Sequence, residues 1–205
     1  MTKISRNYRD KVRKHLLESA DVKKKVAEEC LESILEAYQL MVDTFESGGK
    51  VMICGNGGSA ADSQHMAGEF VCLLNKAFER PGLPAIALTT DTSILTAYAN
   101  DFSFEGIFKR QVLALGRPGD LLIAISTSGN SPNILVAAKA ARLANIRTIA
   151  LTGKNGKLQK LVDVALCVPS TMTQYIQESH LVIEHILCEL VEHHIFGAKI
   201  DEKDK

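Results

Sequence analysis

Between Asn7 and Glu46 the apolar residues Val26, Leu31, Ile34, Leu35, Tyr38, Met41, Val42 and Phe45 recur at helical spacing, uninterrupted by proline or glycine. That period predicts two N-terminal helices over about 7–47, a helical hairpin broken near Ala20-Asp21 and ended by Gly48-Gly49. From there the pattern changes. Short apolar runs, Val51–Cys54, Ala85–Leu88, Leu121–Ser126, Thr148–Leu151 and Val164–Val168, alternate with segments of helical spacing. Those segments run from about Ser59 to Leu74, in pieces across Thr92–Leu115, from Pro132 to Ala144, briefly near Gly156–Leu161, and from Met172 to Phe196. Strands apolar on both faces need cover on both, and the intervening helices supply it, so the pattern predicts an α/β fold around a parallel sheet. The α/β core spans about 50–170 and the C-terminal helix about 172–196, all within a single domain over 1–205.

The last helix is apolar on nearly every side (Ile176, Leu181, Val182, Ile183, Ile186, Leu187, Leu190, Val191), which predicts burial between subunits. Charge narrows the partners. Lys+Arg 24 balance Asp+Glu 24 without a basic block, which weighs against nucleic acid or an anionic membrane. Apolar stretches fall well short of the ~20 residues that span a bilayer, and Met1–Lys11 lacks the apolar core of a secretory signal. Cys30, Cys54, Cys72, Cys167 and Cys188 are odd in number and scattered, a usage that fits a reducing cytoplasm. Cys54, beside a glycine turn, is the one candidate for reactivity.

In a parallel sheet ligands sit beyond the carboxyl ends of the strands, and two informative loops fall there. Cys54-Gly55-Asn56-Gly57-Gly58-Ser59 leads from a strand into a helix, and small residues at a helix start favour an anion. It matches neither the dinucleotide fingerprint nor the P-loop, so a nucleotide cofactor is not expected. The second loop, Ser126-Thr127-Ser128-Gly129-Asn130-Ser131-Pro132, offers hydroxyls at a helix start with Ser131 as cap and Pro132 in the first turn, a neutral phosphate cradle. Further along the first helix, His65 and Glu69 share a face, as metal ligands, an acid/base pair or a surface ion pair. Gln177 and His185 share a face of the last helix, two turns apart, with His180 between them. A buried Gln and His need partners, which structural hydrogen bonds would supply. Two histidines, a glutamate and an amide oxygen would also make a four-ligand zinc site.

Taken together, Cys-Gly-Asn-Gly-Gly-Ser, His65 and Glu69, Asn100-Asp101, Ile-Ser-Thr-Ser-Gly-Asn-Ser, Leu-Thr-Gly-Lys and Ile176-Gln177-Glu178 with His185 resemble the phosphoheptose isomerases. The resemblance runs from about Ala27 to Gly197. It implies a sugar isomerase (SIS) fold, a five-stranded parallel sheet between helices, assembled as a homotetramer with active sites between subunits. It also implies conversion of sedoheptulose 7-phosphate to glycero-manno-heptose 7-phosphate. Carried across by motif, Asn56, Gly57 and Gly58 line the sugar site, Asn100 and Asp101 contact substrate, and Ser126, Thr127, Ser128 and Ser131 hold the phosphate. His65, Glu69, Gln177 and His185 match the ligands of one zinc ion per subunit, with Glu69 and His185 also matching the proton-transfer pair and Glu69 and Gln177 reaching the substrate. Ketose–aldose interconversion needs only a carboxylate base and an imidazole acid/base for its proton transfers.

Two positions depart from the family pattern. Leu73 stands where members often carry an arginine, with Lys76 or Arg80 as candidate replacements, and Tyr175 stands where many have arginine before Ile-Gln. Rival readings are a SIS tetramer that binds the replication initiator, a sugar-phosphate sensor, and an isomerase for another phosphosugar. The initiator-binding relative lacks the helix glutamate and the late histidine, both present here.

Overall fold

The computed structural model describes residues 6–74 and 79–203. The chain opens with α1 (Arg6–Glu29) and α2 (Leu31–Glu46), which meet at Cys30 rather than at Ala20-Asp21. No local signal breaks the helix at Ala20-Asp21, and helical bonds continue on both sides of Cys30 (Cys30 N to Val26 O, Ile34 N to Cys30 O, both 2.9 Å). Cys30 is buried, with its Sγ donating to the Cys167 carbonyl at 3.5 Å, so a tertiary contact sets the junction.

The core continues as β1 (Val51–Gly55), α3 (Gly58–Val71), β2 (Ala85–Ala87), α4 (Thr92–Asp101), α5 (Ile107–Leu115), β3 (Leu121–Ser126), α6 (Pro132–Leu143), β4 (Arg147–Gly153), β5 (Val164–Val168) and α7 (Thr173–Lys203). Short 3-10 turns lie at Phe104–Gly106 and Leu158–Lys160. Strand and helix identities follow the apolar pattern; the ends shift by one to a few residues, as frayed termini do. The largest shift is α7, which runs on to Lys203 instead of stopping at Phe196, while α3 ends at Val71 instead of Leu74.

The five strands are all parallel in the order β2-β1-β3-β4-β5. Because side chains alternate along a strand, Val51, Ile53, Leu121, Ile123 and Ile125 face one layer, with α1, α2, α3 and α7. Met52, Cys54, Leu122 and Ala124 face the other, with α5 and α6. This strand order reverses direction between β1 and β3, which opens a crevice at their carboxyl ends. Both informative loops begin there. Among the described residues, no helix is long and apolar enough to cross a membrane.

Candidate active site

The first loop is built for close approach. Gly57, the residue before α3, has φ +55° and ψ −119°, a conformation that suits glycine. Gly58 opens the helix against α7: a Cβ there would lie 1.9 Å from the Gln177 Nε2. Asn56 is held by a reciprocal amide pair, Nδ2 to Asn133 Oδ1 at 2.9 Å and Asn133 Nδ2 to Asn56 Oδ1 at 2.8 Å. Asn133, buried in the first turn of α6, thus ties the two loops together across the crevice; its place just after Pro132 was the only sequence signal for it.

In the second loop Ser131 occupies the N-cap position of α6, yet its side chain makes no capping bond, contrary to the expectation from sequence. Its hydroxyl turns into the loop, 3.1 Å from the Ser126 Oγ, which lies 3.5 Å from the Ser128 Oγ. Three hydroxyls therefore cluster at a helix start. Thr127 is half-buried, and its carbonyl accepts from Gly153 N at 3.1 Å.

The packing of α3 on α7 brings the two helical faces together. His65 Nε2 lies 2.8 Å from His185 Nε2, and 3.6 Å from Glu69 Oε1. One ligand atom from each of these three residues lies within 4.8 Å of the others. The two imidazoles meet nitrogen to nitrogen, and among the described residues Glu69 Oε2 is buried without a hydrogen-bond partner. A divalent cation satisfies all three groups. Tetrahedral zinc, with bonds of about 2.0–2.2 Å, spaces its ligand atoms roughly 3.3–3.6 Å apart; the His65–Glu69 separation of 3.6 Å matches, and the two imidazole nitrogens at 2.8 Å would move slightly apart to admit the ion. The donor set therefore fits a zinc-type ion. Gln177 faces the same region, its Nε2 donating to Asp62 Oδ2 at 3.2 Å. Asp62 escaped the sequence reading although helical spacing places it one turn before His65. Burial pushes the Asp62 carboxyl up, against the opposing pull of Gln177 and His65.

Asn100 and Asp101 lie exposed at the end of α4, bonded to each other (Asn100 Nδ2 to Asp101 Oδ1, 2.8 Å), and no hydrogen bond joins them to the other site residues. Two further expectations are corrected. Cys54 is fully buried and burial pushes its thiol up to about 12, so it is an inert core residue. Arg80 does not stand in for the missing arginine at Leu73, because its guanidinium is buried and bonded to Glu192 and to backbone carbonyls. Lys76 lies outside the described residues. Tyr175 points away from the crevice, donating to Glu18 Oε2 of α1 at 2.9 Å.

Behind the site, α7 buries His180 and Glu184 completely, and among the described residues the Glu184 carboxyl has no hydrogen-bond partner. Burial pushes Glu184 up to about 9, helped by Asp62, and lowers His180 to about 4 against a weak opposing contact with Thr152. A lowered histidine means the unfolded chain binds more protons between about pH 6.5 and 4, so His180 costs stability increasingly as pH falls through that window. His180→Leu should therefore flatten the acid limb of the stability curve, by up to about 3 kcal/mol at pH 4 relative to wild type. Urea unfolding of both proteins across pH 4–7 measures it, and parallel curves would refute it.

Comparisons with known proteins match the chain over most of its length. A family model described as SIS domain matches residues 14–153. The phosphoheptose isomerase of Roseiflexus sp. (strain RS-1) is 52% identical over 179 residues, 87% of this chain and 90% of that protein. That of Burkholderia pseudomallei (strain K96243) is 54% identical over 177 residues, 86% and 83% of the two chains. The structure of phosphoheptose isomerase from Neisseria gonorrhoeae superimposes with a TM-score of 0.84 at 42% identity, covering 90% of this chain and 98% of that one.

Proposed function

The chain belongs to the SIS-domain family of phosphoheptose isomerases, and from that premise we infer that it converts sedoheptulose 7-phosphate into D-glycero-D-manno-heptose 7-phosphate through an enediol. The observation that carries this reading is the convergence of His65, Glu69 and His185 from two helices beside the crevice. Glu69 takes the proton from C1 of the ketose and returns it to C2, while His185 moves the proton between O1 and O2. When bound by His65, Glu69, Gln177 and His185, one zinc ion per subunit supplies positive charge beside the sugar oxygens. A carboxylate has two oxygens and an imidazole two nitrogens, so Glu69 and His185 would each hold the metal with one and keep the other for the proton. Asn56, Gly57 and Gly58 line the sugar, Asn100 and Asp101 reach its chain, and Ser126, Thr127, Ser128 and Ser131 receive the phosphate. The convergence of Glu69 with His185 favours an enzyme over a sensing or initiator-binding SIS module. Product formation from sedoheptulose 7-phosphate, with and without chelator, tests the reading; inactive wild-type protein under both conditions would overturn it.

The hydroxyl cluster makes a separate prediction. Ser128→Ala with Ser131→Ala should raise KM about tenfold or more while kcat falls much less, since the phosphate end is bound in ground and transition state alike. An unchanged KM would remove the loop from the site.

A homotetramer completes the reading. Val12, Leu16, Leu17, Leu31, Leu35, Val182 and Ile186 leave a broad apolar surface exposed on α1, α2 and α7, more than a small monomer usually presents to water. Five free cysteines support a cytoplasmic setting. Sedimentation at micromolar concentration should give four times the chain mass, and a monomer there would refute the assembly.

A further inference from the structure

Arg80 sits beneath the end of α3, bonded to its last carbonyls. The Arg80 side chain is 2% exposed and Glu192, its partner on α7, 5%. Nη2 donates to the Glu69 carbonyl at 2.8 Å, Nη1 to the Phe70 and Pro81 carbonyls at 3.0 Å, and Nε to Glu192 Oε2 at 2.6 Å. Glu192 Oε2 also accepts from Leu74 N at 3.2 Å, and the guanidinium lies 5.5 Å from the centre of the Phe196 ring. The last four carbonyls of a helix lack partners within it, and a cation there complements the helix dipole. Here one of the capped carbonyls belongs to Glu69, whose carboxylate enters the histidine cluster.

We propose that Arg80 and Glu192 are a positioning pair for the active site, holding the last turn of α3 at a fixed rotation and distance from the helix that carries His185. Glu69 lies two residues from the end of α3, where helices fray. Apolar packing between α3 and α7 is non-directional and does not fix that turn. The planar fork of arginine does, by engaging two consecutive carbonyls of α3 and a carboxylate of α7 together. Glu192 stands two turns beyond His185 on a continuous helix, so the clamp carries to the ligand face. Stability alone does not call for this pair, because apolar residues of similar volume replace buried ion pairs at little cost.

The test uses Arg80→Lys, which keeps a charge for Glu192 but cannot hold both carbonyls, and the double variant Arg80→Met/Glu192→Met, which removes both buried charges. Both should melt near wild type, yet lose about tenfold in kcat and in zinc affinity measured by chelator competition, with KM little changed. Wild-type kcat and zinc affinity in folded Arg80→Lys, or recovery of both in the double variant, would reduce the pair to scaffolding and overturn the proposal. The pair's role rests on the isomerase reading only through the assay. If wild-type protein turns over no heptose phosphate, that reading fails, while the zinc affinity of Arg80→Lys against wild type still decides the positioning role.

Discussion

Glu69→Gln should lower turnover of sedoheptulose 7-phosphate by at least about 10²–10⁴-fold, the range typical of one general acid/base group. Glutamine keeps the shape of the side chain and one oxygen that can face a metal, but it cannot accept a proton from carbon. The loss should therefore fall on kcat, with the sedimentation behaviour unchanged. His185→Gln should behave alike, and the double variant should be little worse than either single one, because the two residues act as a unit on one enediol. Wild-type enzyme in heavy water should place deuterium at C2 of the product. Near-normal turnover by Glu69→Gln would end its role as base.

Gly58→Ala should also damage the site, less steeply, while sparing the fold. The added methyl would lie 1.9 Å from the Gln177 Nε2 and 2.8 Å from its Oε1, contacts no real Cβ tolerates. The obstructing atoms belong to the end of a flexible side chain, so Gln177 swings aside and the backbone stays. That breaks its 3.2 Å bond to Asp62 and removes the amide from the ligand face. Zinc affinity and kcat should each fall by roughly 10–100-fold, with the melting temperature within a few degrees of wild type. Gln177→Ala should reproduce the loss, and Gly58→Ala should add almost nothing to it. Full activity in Gly58→Ala would detach Gln177 from the reaction.

Much of this site was legible before the fold was known. His65 with Glu69, and Gln177 with His185, share faces because helical spacing is local, and the glycine turn and hydroxyl loop mark themselves as strand-to-helix junctions by composition. Asp62 is equally legible by the same spacing, one turn before His65. Arg80 is not: an arginine outside any helix or strand reads as a surface charge, and only its tertiary contacts with the end of α3 and with Glu192 turn it inward.

By itself, then, the sequence determined the alternation of buried strands and covering helices, the position of both loops at the carboxyl edge of the sheet, and the pairing of chemical groups within each helix. Each of these depends on residues a few positions apart, where backbone geometry has a fixed period. The tertiary structure decided that α3 and α7 meet face to face, that Asn56 locks to Asn133, that the helix junction falls at Cys30, and that Ser131 gives its hydroxyl to the loop instead of capping α6. Those outcomes join residues far apart in the chain. They are fixed by how whole elements pack over a twisted sheet, where many weak contacts act at once and no local pattern records the result.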